Sequence, residues 1–504
     1  MKLRYFKFIM VLAGVVAMSS CKKFLDINKD PDRLPDSNSP LAQLLTGAQV
    51  NLGFEGGSDL FRYTTEIMQQ MSGLASQPNQ TFEYYRYNIT GSDQNNVWSS
   101  MNASTLSDLQ LIINQGGSSP YYTGIAKILK AYEVSKMVDV WGDVPFSQAQ
   151  QLTANTQPAY DDDAAIYPQL INLLTEAIGN LNATSSVLTP GTNSVMYTNG
   201  GNWTLARAQW IKLANTLKLR LILHTRKVDA TWASQMNTLI NTSGITFMTS
   251  NADSWQMNFY NVANQRSPIS AFEVSRPNYL FVDTRMLDLM NPKNDPRRPF
   301  YFTDFPLGSG IYVGVSAANP PVNANNNNSR IHTFLRGAVT TPSSNGINSA
   351  VYSGDAPQRM LPYAEYCFIR AEAALMGGVT SAPLANANAW YREGINASML
   401  EVGVSPANIA TYLALPSSTL SGSTANQLQQ IIEEKYIALF GVTVEPWNDW
   451  RRTGYPSLSI PTNAINTVTA VPRILFYPQS EIDLNPNCPG QKSLSLQDRV
   501  FWDN

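Results

Sequence analysis

Charge is what this 504-residue chain has least of: Asp, Glu, Lys and Arg together make up 14% of it, against ~25% in an average globular domain. The formal net charge is −2 and the basic residues are scattered, so no basic face is offered to phosphates and nucleic acid is not an expected partner. Histidine is almost missing, with two in the chain, His224 and His332. No His or Cys spacing resembles a metal site, so neither metal nor cofactor is expected, and histidine-based catalysis has little to stand on. Cysteine is scarce too, at three residues. Beyond residue 20 no run is apolar enough to cross ~30 Å of hydrocarbon. Asn, Gln, Ser, Thr and Tyr take the place of charge, and such a surface suits neutral, hydroxyl-rich ligands.

The N-terminus has the form of a secretion signal. Lys2, Arg4 and Lys7 supply a positive start, Phe8 through Met18 a short apolar core, and Ser19-Ser20 the small residues before a cleavage point. Cleavage would leave Cys21 first, where a thiol is the acceptor for diacylglyceryl transfer and acylation by palmitate-like chains. Residues 1–20 thus read as a lipoprotein signal peptide and 21–40 as a lipidated cysteine and flexible tether. The tether, KKFLDINKDPDRLPDSNSP, holds three prolines and little apolar periodicity. Residues 41–504 are expected to form a single domain. Cys367 and Cys488 read as two free thiols rather than a disulfide, because Cys367 sits inside a helical pattern.

Helical periods dominate the remainder. Apolar stripes run through 121–138 (Ile125, Ile128, Leu129, Tyr132), 163–181 (Ile166, Leu170, Leu173, Leu174, Ile178) and 204–226 (Trp210, Leu213, Leu217, Leu221, His224). His224 on that stripe reads as a hydrogen-bonded core residue. Further helices are expected at 361–376, 386–400 and 425–440, the first opened by Pro362 and stopped by Gly377-Gly378. Stretches 74–100, 183–203, 242–280 and 299–358 read as long irregular loops, a functional signature at such lengths. Residues 318–329 read as an exposed loop, and short strands are admitted at 84–90 and 311–315. The fold class is mainly α with elaborate loops.

Two loops gather aromatics among amides. Tyr84, Tyr85, Tyr87 and Trp98 lie in one, and Trp255, Asn258 and Tyr260 in the other. A flat ring stacks on the apolar face of a pyranose while neighbouring amides satisfy its hydroxyls, so these seven are the candidate ligand-binding residues. The same rings could equally close a core. Glu445 and Asp449 flank aromatics as a glycosidase pair would, but they precede Arg451-Arg452, and a structural ion-pair knot is the better reading. Asp161-Asp162-Asp163 reads as a helix cap rather than a calcium site.

With these segments in view, the chain resembles the SusD/RagB family of Bacteroidetes nutrient-binding outer-membrane lipoproteins. CKKFLDINKDP, WGDVPFSQA (141–149), PAYDDDAAIYPQLINLL (158–174), NDPRRPFYF (294–302), LPYAEYCFIRAEAALMGG (361–378) and EEKYIALFGVTVEPWNDWRRTGYP (433–456) follow the family's form and order. The resemblance implies a SusD-like α-helical fold, with tetratricopeptide-like helix pairs as scaffold and long loops as the ligand face. It also implies a non-catalytic lipoprotein, lipid-anchored at the outer membrane and facing the cell surface. There it would capture oligosaccharide and pass it to a SusC-like TonB-dependent transporter. Oligopeptide is the alternative ligand on the same architecture, and a surface glycoside hydrolase the remote alternative.

Overall fold

The computed structural model describes residues 40–73, 80–277, 279–316, 328–343, 350–380 and 386–504. Cys21, residues 22–39 and most of 318–329 lie outside them. Leu41–Asn504 form one compact unit. It opens with two helices that the periodicity did not announce, α1 (Leu41–Glu55) and α2 (Asp59–Ile67). In α1, Leu41, Leu44, Leu45, Ala48 and Leu52 are buried at helical spacing, but Gly47 and Gly53 weaken the local helix preference. A third, α3 (Gly91–Ser99), lies in a stretch expected to be irregular. Thr90 and Asp93 close a capping box there, with the Asp93 carboxylate accepting from the Thr90 N–H at 2.8 Å.

The three central stripes become α4 (Pro120–Trp141), α5 (Asp163–Leu181) and α6 (Trp203–His224), followed by α7 (Trp232–Asn241). Their starts follow local chemistry: Pro120 takes a first-turn position where no N–H is needed, and Asp162 and Asn202 accept from the N–H groups of Ala165 and Leu205. Capping is thus the role of Asp162, while Asp161 receives the Phe146 and Ser147 N–H groups, each at 2.9 Å. The C-terminal set is α8 (Tyr363–Gly377), α9 (Ala387–Val402), α10 (Pro406–Leu413), α11 (Thr424–Ala438) and α12 (Glu445–Thr453). Gly378, left-handed at φ 64°, ends α8.

Helix pairs form the scaffold: α4 packs on α5 and α5 on α6, while α8 packs on both α9 and α11. Close approach is built in, since a Cβ at Gly124 of α4 would come within 2.8 Å of the Leu181 side chain on α5. The described strands are short, antiparallel and paired two by two: Met71–Ser72 with Phe281–Val282, Trp255–Met257 with Gln358–Leu361, and Val339–Thr341 with Val351–Tyr352. The strand expected at 84–90 is not there; a short helix, Gln80–Tyr85, takes its beginning. From 311–315, Val315 alone forms an isolated bridge, to Asp283. Cys367 and Cys488 are free.

The polar α12 sequence is buried and ties the helices together. Glu445 accepts from Lys435 of α11 at 3.0 Å, lies 3.3 Å from His224 Nε2 of α6, and sits 3.7 Å from Arg220 Nε. Burial pushes its pKa upward, yet Lys435, His224 and Arg220 outweigh that and hold the carboxyl well below its ordinary range. Asp449 pairs with Lys435 at 2.8 Å and Arg452 at 2.6 Å. The ion-pair knot is therefore real, but its composition differs from the expectation. Arg451 pairs with neither acid; its guanidinium lies 3.9 Å from the Trp447 ring centre and 4.7 Å from that of Trp502. His224 is the core residue expected, with its Nδ1 3.0 Å from the Tyr167 hydroxyl.

Candidate ligand-binding face

The two aromatic loops do converge. The Thr81 hydroxyl donates to the Tyr279 carbonyl at 2.7 Å, and the Tyr85 hydroxyl to Asp283 at 3.0 Å. Their rings, however, mostly turn inward. Tyr84, Tyr85, Tyr87, Trp98 and Trp255 are all buried, and a buried ring has no face to give a sugar. Tyr84 packs edge-on against Tyr63 at 4.6 Å, Trp98 against Trp141 at 5.1 Å, and Trp255 against Tyr132 at 4.6 Å. Trp98 also spends its indole N–H on Glu481 at 3.1 Å. These five belong to the core that positions the loops, which corrects their reading as stacking platforms.

Asn258 and Tyr260 behave differently. From Trp255 the chain alternates, with Trp255, Met257 and Phe259 buried and Asn258 and Tyr260 exposed, as a pleated strand requires. Tyr260 is 55% exposed. It opens a tight loop in which its N–H donates to the Gln265 carbonyl at 2.8 Å and the Gln265 N–H to Val262 at 3.1 Å. Asn264 turns the chain at φ 63°. Arg266 donates to the Asn261 side chain at 3.1 Å, and the Ser267 N–H anchors the loop base on the Gly354 carbonyl at 2.8 Å. One exposed ring among two amides and a guanidinium remains from the group named in sequence.

The loop's root leads to a pocket that sequence reasoning missed. Phe259 meets Phe54 edge-on at 5.2 Å, and Phe54 lines a cavity of about 200 Å³ with Ser58, Asp59, Asn96, Ser100 and Glu55. Ser100 begins a π-helical segment, Ser100–Leu106, a distortion that recurs at functional sites. At the floor, Glu55 accepts from the hydroxyls of Ser100 at 2.8 Å and Thr105 at 2.7 Å. Burial, reinforced by the Glu133 carboxylate, raises the Glu55 pKa well above the carboxylate range. Lys136 lies 2.8 Å from Glu133. Lys136 also lies 4.0 Å from Glu55, so both carboxyl groups face the one ammonium at the floor. The cavity, at about 200 Å³, is smaller than the ~300–1,000 Å³ that encloses drug-sized ligands.

A family model described as SusD-like, starch-binding and associating with the outer membrane matches residues 33–478. The chain belongs to this SusD-like family. Among solved structures, the SusD-like chain is similar to a chitin-binding protein (23% identity, TM-score 0.73, covering 92% of this chain and 100% of that one). It is also similar to a chitin-binding SusD homologue from Flavobacterium johnsoniae (21%, 0.72, 92% and 98%) and to a SusD homologue from Bacteroides fragilis (21%, 0.73, 93% and 100%). At such identities these structures establish the fold. No curated protein matches the chain in sequence. No helix among the described residues is long and apolar enough to cross a membrane. The candidate glycosidase pair is closed off, because Glu445 and Asp449 are buried in ion pairs.

Proposed function

We propose that this SusD-like protein is a non-catalytic receptor, anchored by lipid on Cys21 at the cell surface, that captures oligosaccharide and passes it to a SusC-like TonB-dependent transporter. The observation that carries the reading is the Tyr260 loop: an exposed ring between amides, rooted through Phe259 and Phe54 beside a pocket that Ser58, Asn96 and Ser100 help to line. The family description, starch-binding at the outer membrane, supports the ligand class, as do two chitin-binding structures of the same fold. A shallow site of this kind binds at roughly millimolar to micromolar strength, about −4 to −8 kcal/mol. Weak capture suffices, because a lid tethered to its transporter holds ligand at high effective concentration.

Titration calorimetry against starch-, chitin- and other glycan-derived oligosaccharides, with an oligopeptide library in parallel, tests the ligand class. Binding to a glycan supports the reading; preference for peptides overturns it. For the anchor, Cys21→Ser is expected to abolish radiolabelled palmitate incorporation and release the protein from the membrane fraction. For the partner, a large β-barrel is expected to co-purify from detergent-solubilised outer membrane.

A further inference from the structure

A second cavity, sharing no lining residue with the Phe54 pocket, lies where NDPRRPFYF meets α10. It measures about 470 Å³ and is lined by Lys293, Asn294, Asp295, Arg298, Tyr312 and Asn408 among others, within the range of sites that enclose a small ligand. Two adjacent arginines there have opposite fates. Arg297 is fully buried and saturated by Asp295 at 2.6 Å and Glu434 at 2.8 Å. Arg298 is half-buried and pairs with no carboxylate among the described residues. It donates instead to neutral oxygens: the Asp295 carbonyl at 3.1 Å, Asn291 at 2.8 Å and Asn294 at 3.3 Å.

Those three bonds use the Nε–H and one N–H of each terminal nitrogen. A guanidinium carries five N–H groups, so one remains on each terminal nitrogen to meet an anionic ligand. The guanidinium carbon lies 5.1 Å from the centre of the Tyr312 ring, which adds an aromatic wall. Lys293, the other cation on the lining, is paired with Glu434 at 2.7 Å, which leaves Arg298 as the cation there without an acid among the described residues. The one acid lining the cavity, Asp295, is already spent on Arg297. Asp304, which does not line it, accepts from the Gly310 N–H at 2.8 Å. Asn408 and Thr411, both exposed, supply amide and hydroxyl groups at the α10 rim.

We infer that this cavity is a subsite for an acidic sugar, with the uronate carboxylate on Arg298 and the sugar ring beside Tyr312 and Asn408. The inference rests on the glycan reading above and extends it to a separate place in the molecule. In a chain so poor in charge, an arginine oriented by three neutral acceptors and left without an acid is matched by an anionic ligand. An aromatic wall and an amide rim favour a saccharide over a free inorganic anion.

The test is titration calorimetry of the intact soluble domain with trimers of galacturonic and glucuronic acid and their neutral galactose and glucose counterparts. The acidic trimer of one configuration is expected to bind about tenfold or more tightly than its neutral counterpart, with affinity falling as salt rises. Arg298→Gln and Tyr312→Ala are expected to remove that preference, and Tyr260→Ala to leave it. Arg298→Lys, which keeps the charge without the fork, guards against a folding defect and should retain only part of the preference. Equal affinity for acidic and neutral trimers, or a preference that survives Arg298→Gln, overturns the inference. Tighter binding of a hexaglutamate peptide at the same site overturns the saccharide class. Neutral glycans that bind and are lost on Tyr260→Ala, with no preference for either acidic trimer, would sink the acidic subsite alone, whereas no glycan binding at all sinks the receptor reading with it.

Discussion

Arg452 of α12 grips Glu372 of α8 with two parallel bonds, 2.8 and 3.0 Å long, and both side chains are almost wholly buried. Arg226 adds a third contact to the same carboxylate at 3.1 Å. Removing one partner strands the others in a low-dielectric interior, which typically costs ~3–5 kcal/mol. Glu372→Gln is therefore expected to lower stability by about that amount in urea unfolding, and Arg452→Met by a similar amount through the stranding of Glu372 and Asp449. A loss under ~1 kcal/mol in both would mean that the knot does not hold the helices.

Glu372 also sets an acid limit. Burial would raise its pKa, but Arg452 and Arg226 hold it at about 2, below the ordinary value of 4.5. A depressed folded pKa contributes stability above the unfolded value, and that contribution is lost as pH falls from about 4.5 toward 2. Asp283 and Glu273 act in the opposite sense, since burial pushes each up to about 7. The folded state then holds those protons more tightly than the unfolded chain, so their contribution declines as pH rises from about 4 to 7. Asp283→Asn keeps one oxygen to accept from the Arg285 N–H, turns its NH2 toward the Tyr85 hydroxyl, which can accept in place of donating, and removes the titration. The variant is expected to show a flatter stability profile between pH 5 and 8 than the parent; unchanged slopes would refute this.

Close helix packing yields a simpler prediction. Alanine normally gains up to ~1 kcal/mol over glycine within a helix, yet at Gly124 the new Cβ would lie 2.8 Å from Leu181 Cγ and 3.0 Å from the Ala177 carbonyl. Backbone cannot yield as a flexible side chain does, so overpacking at ~1–3 kcal/mol outweighs the gain. Gly124→Ala should lower the melting temperature and Gly124→Val should lower it further. A stabilised alanine variant would show that α4 and α5 slide apart freely.

How much of this was legible in the sequence depended on periodicity. The stripes of α4, α5 and α6 run for nineteen or more residues each, and over that length a 3.6-residue period is unambiguous. Helix α1 has the same period but carries two glycines, and α3 is nine residues of mostly polar sequence whose only strong signal was the Thr90–Asp93 box. The loop aromatics failed for another reason. Tyr85 and Tyr260 have the same chemistry in one dimension, and only the tertiary partner, Asp283 for one and solvent for the other, tells core from contact. One signal was available: Trp255, Met257 and Phe259 alternate with Gln256, Asn258 and Tyr260, a period of two that assigns the first set inward and the second outward. The pocket on Phe54, Asn96 and Ser100 joins segments whose adjacency no local pattern encodes.

The alternation leads to a decisive pair of variants. Trp255 is fully buried, packed on Tyr132, with its indole N–H directed at the Met196 sulfur at 3.2 Å. Its truncation to Ala removes a large core side chain and is expected to cost ~3–5 kcal/mol. Tyr260 projects from the loop, and its ring makes no aromatic pair among the described residues. Tyr260→Ala is expected to leave the melting temperature within about a degree of the parent, because exposed substitutions rarely exceed ~0.5 kcal/mol. If the ring stacks on a sugar, the same change should weaken glycan binding by about tenfold, a loss near 1.4 kcal/mol. Calorimetric titration and thermal melts on both variants separate the two roles. Unchanged glycan affinity in Tyr260→Ala, alongside a stable Trp255→Ala that no longer binds, would return the contact role to the buried ring and require the loop to open.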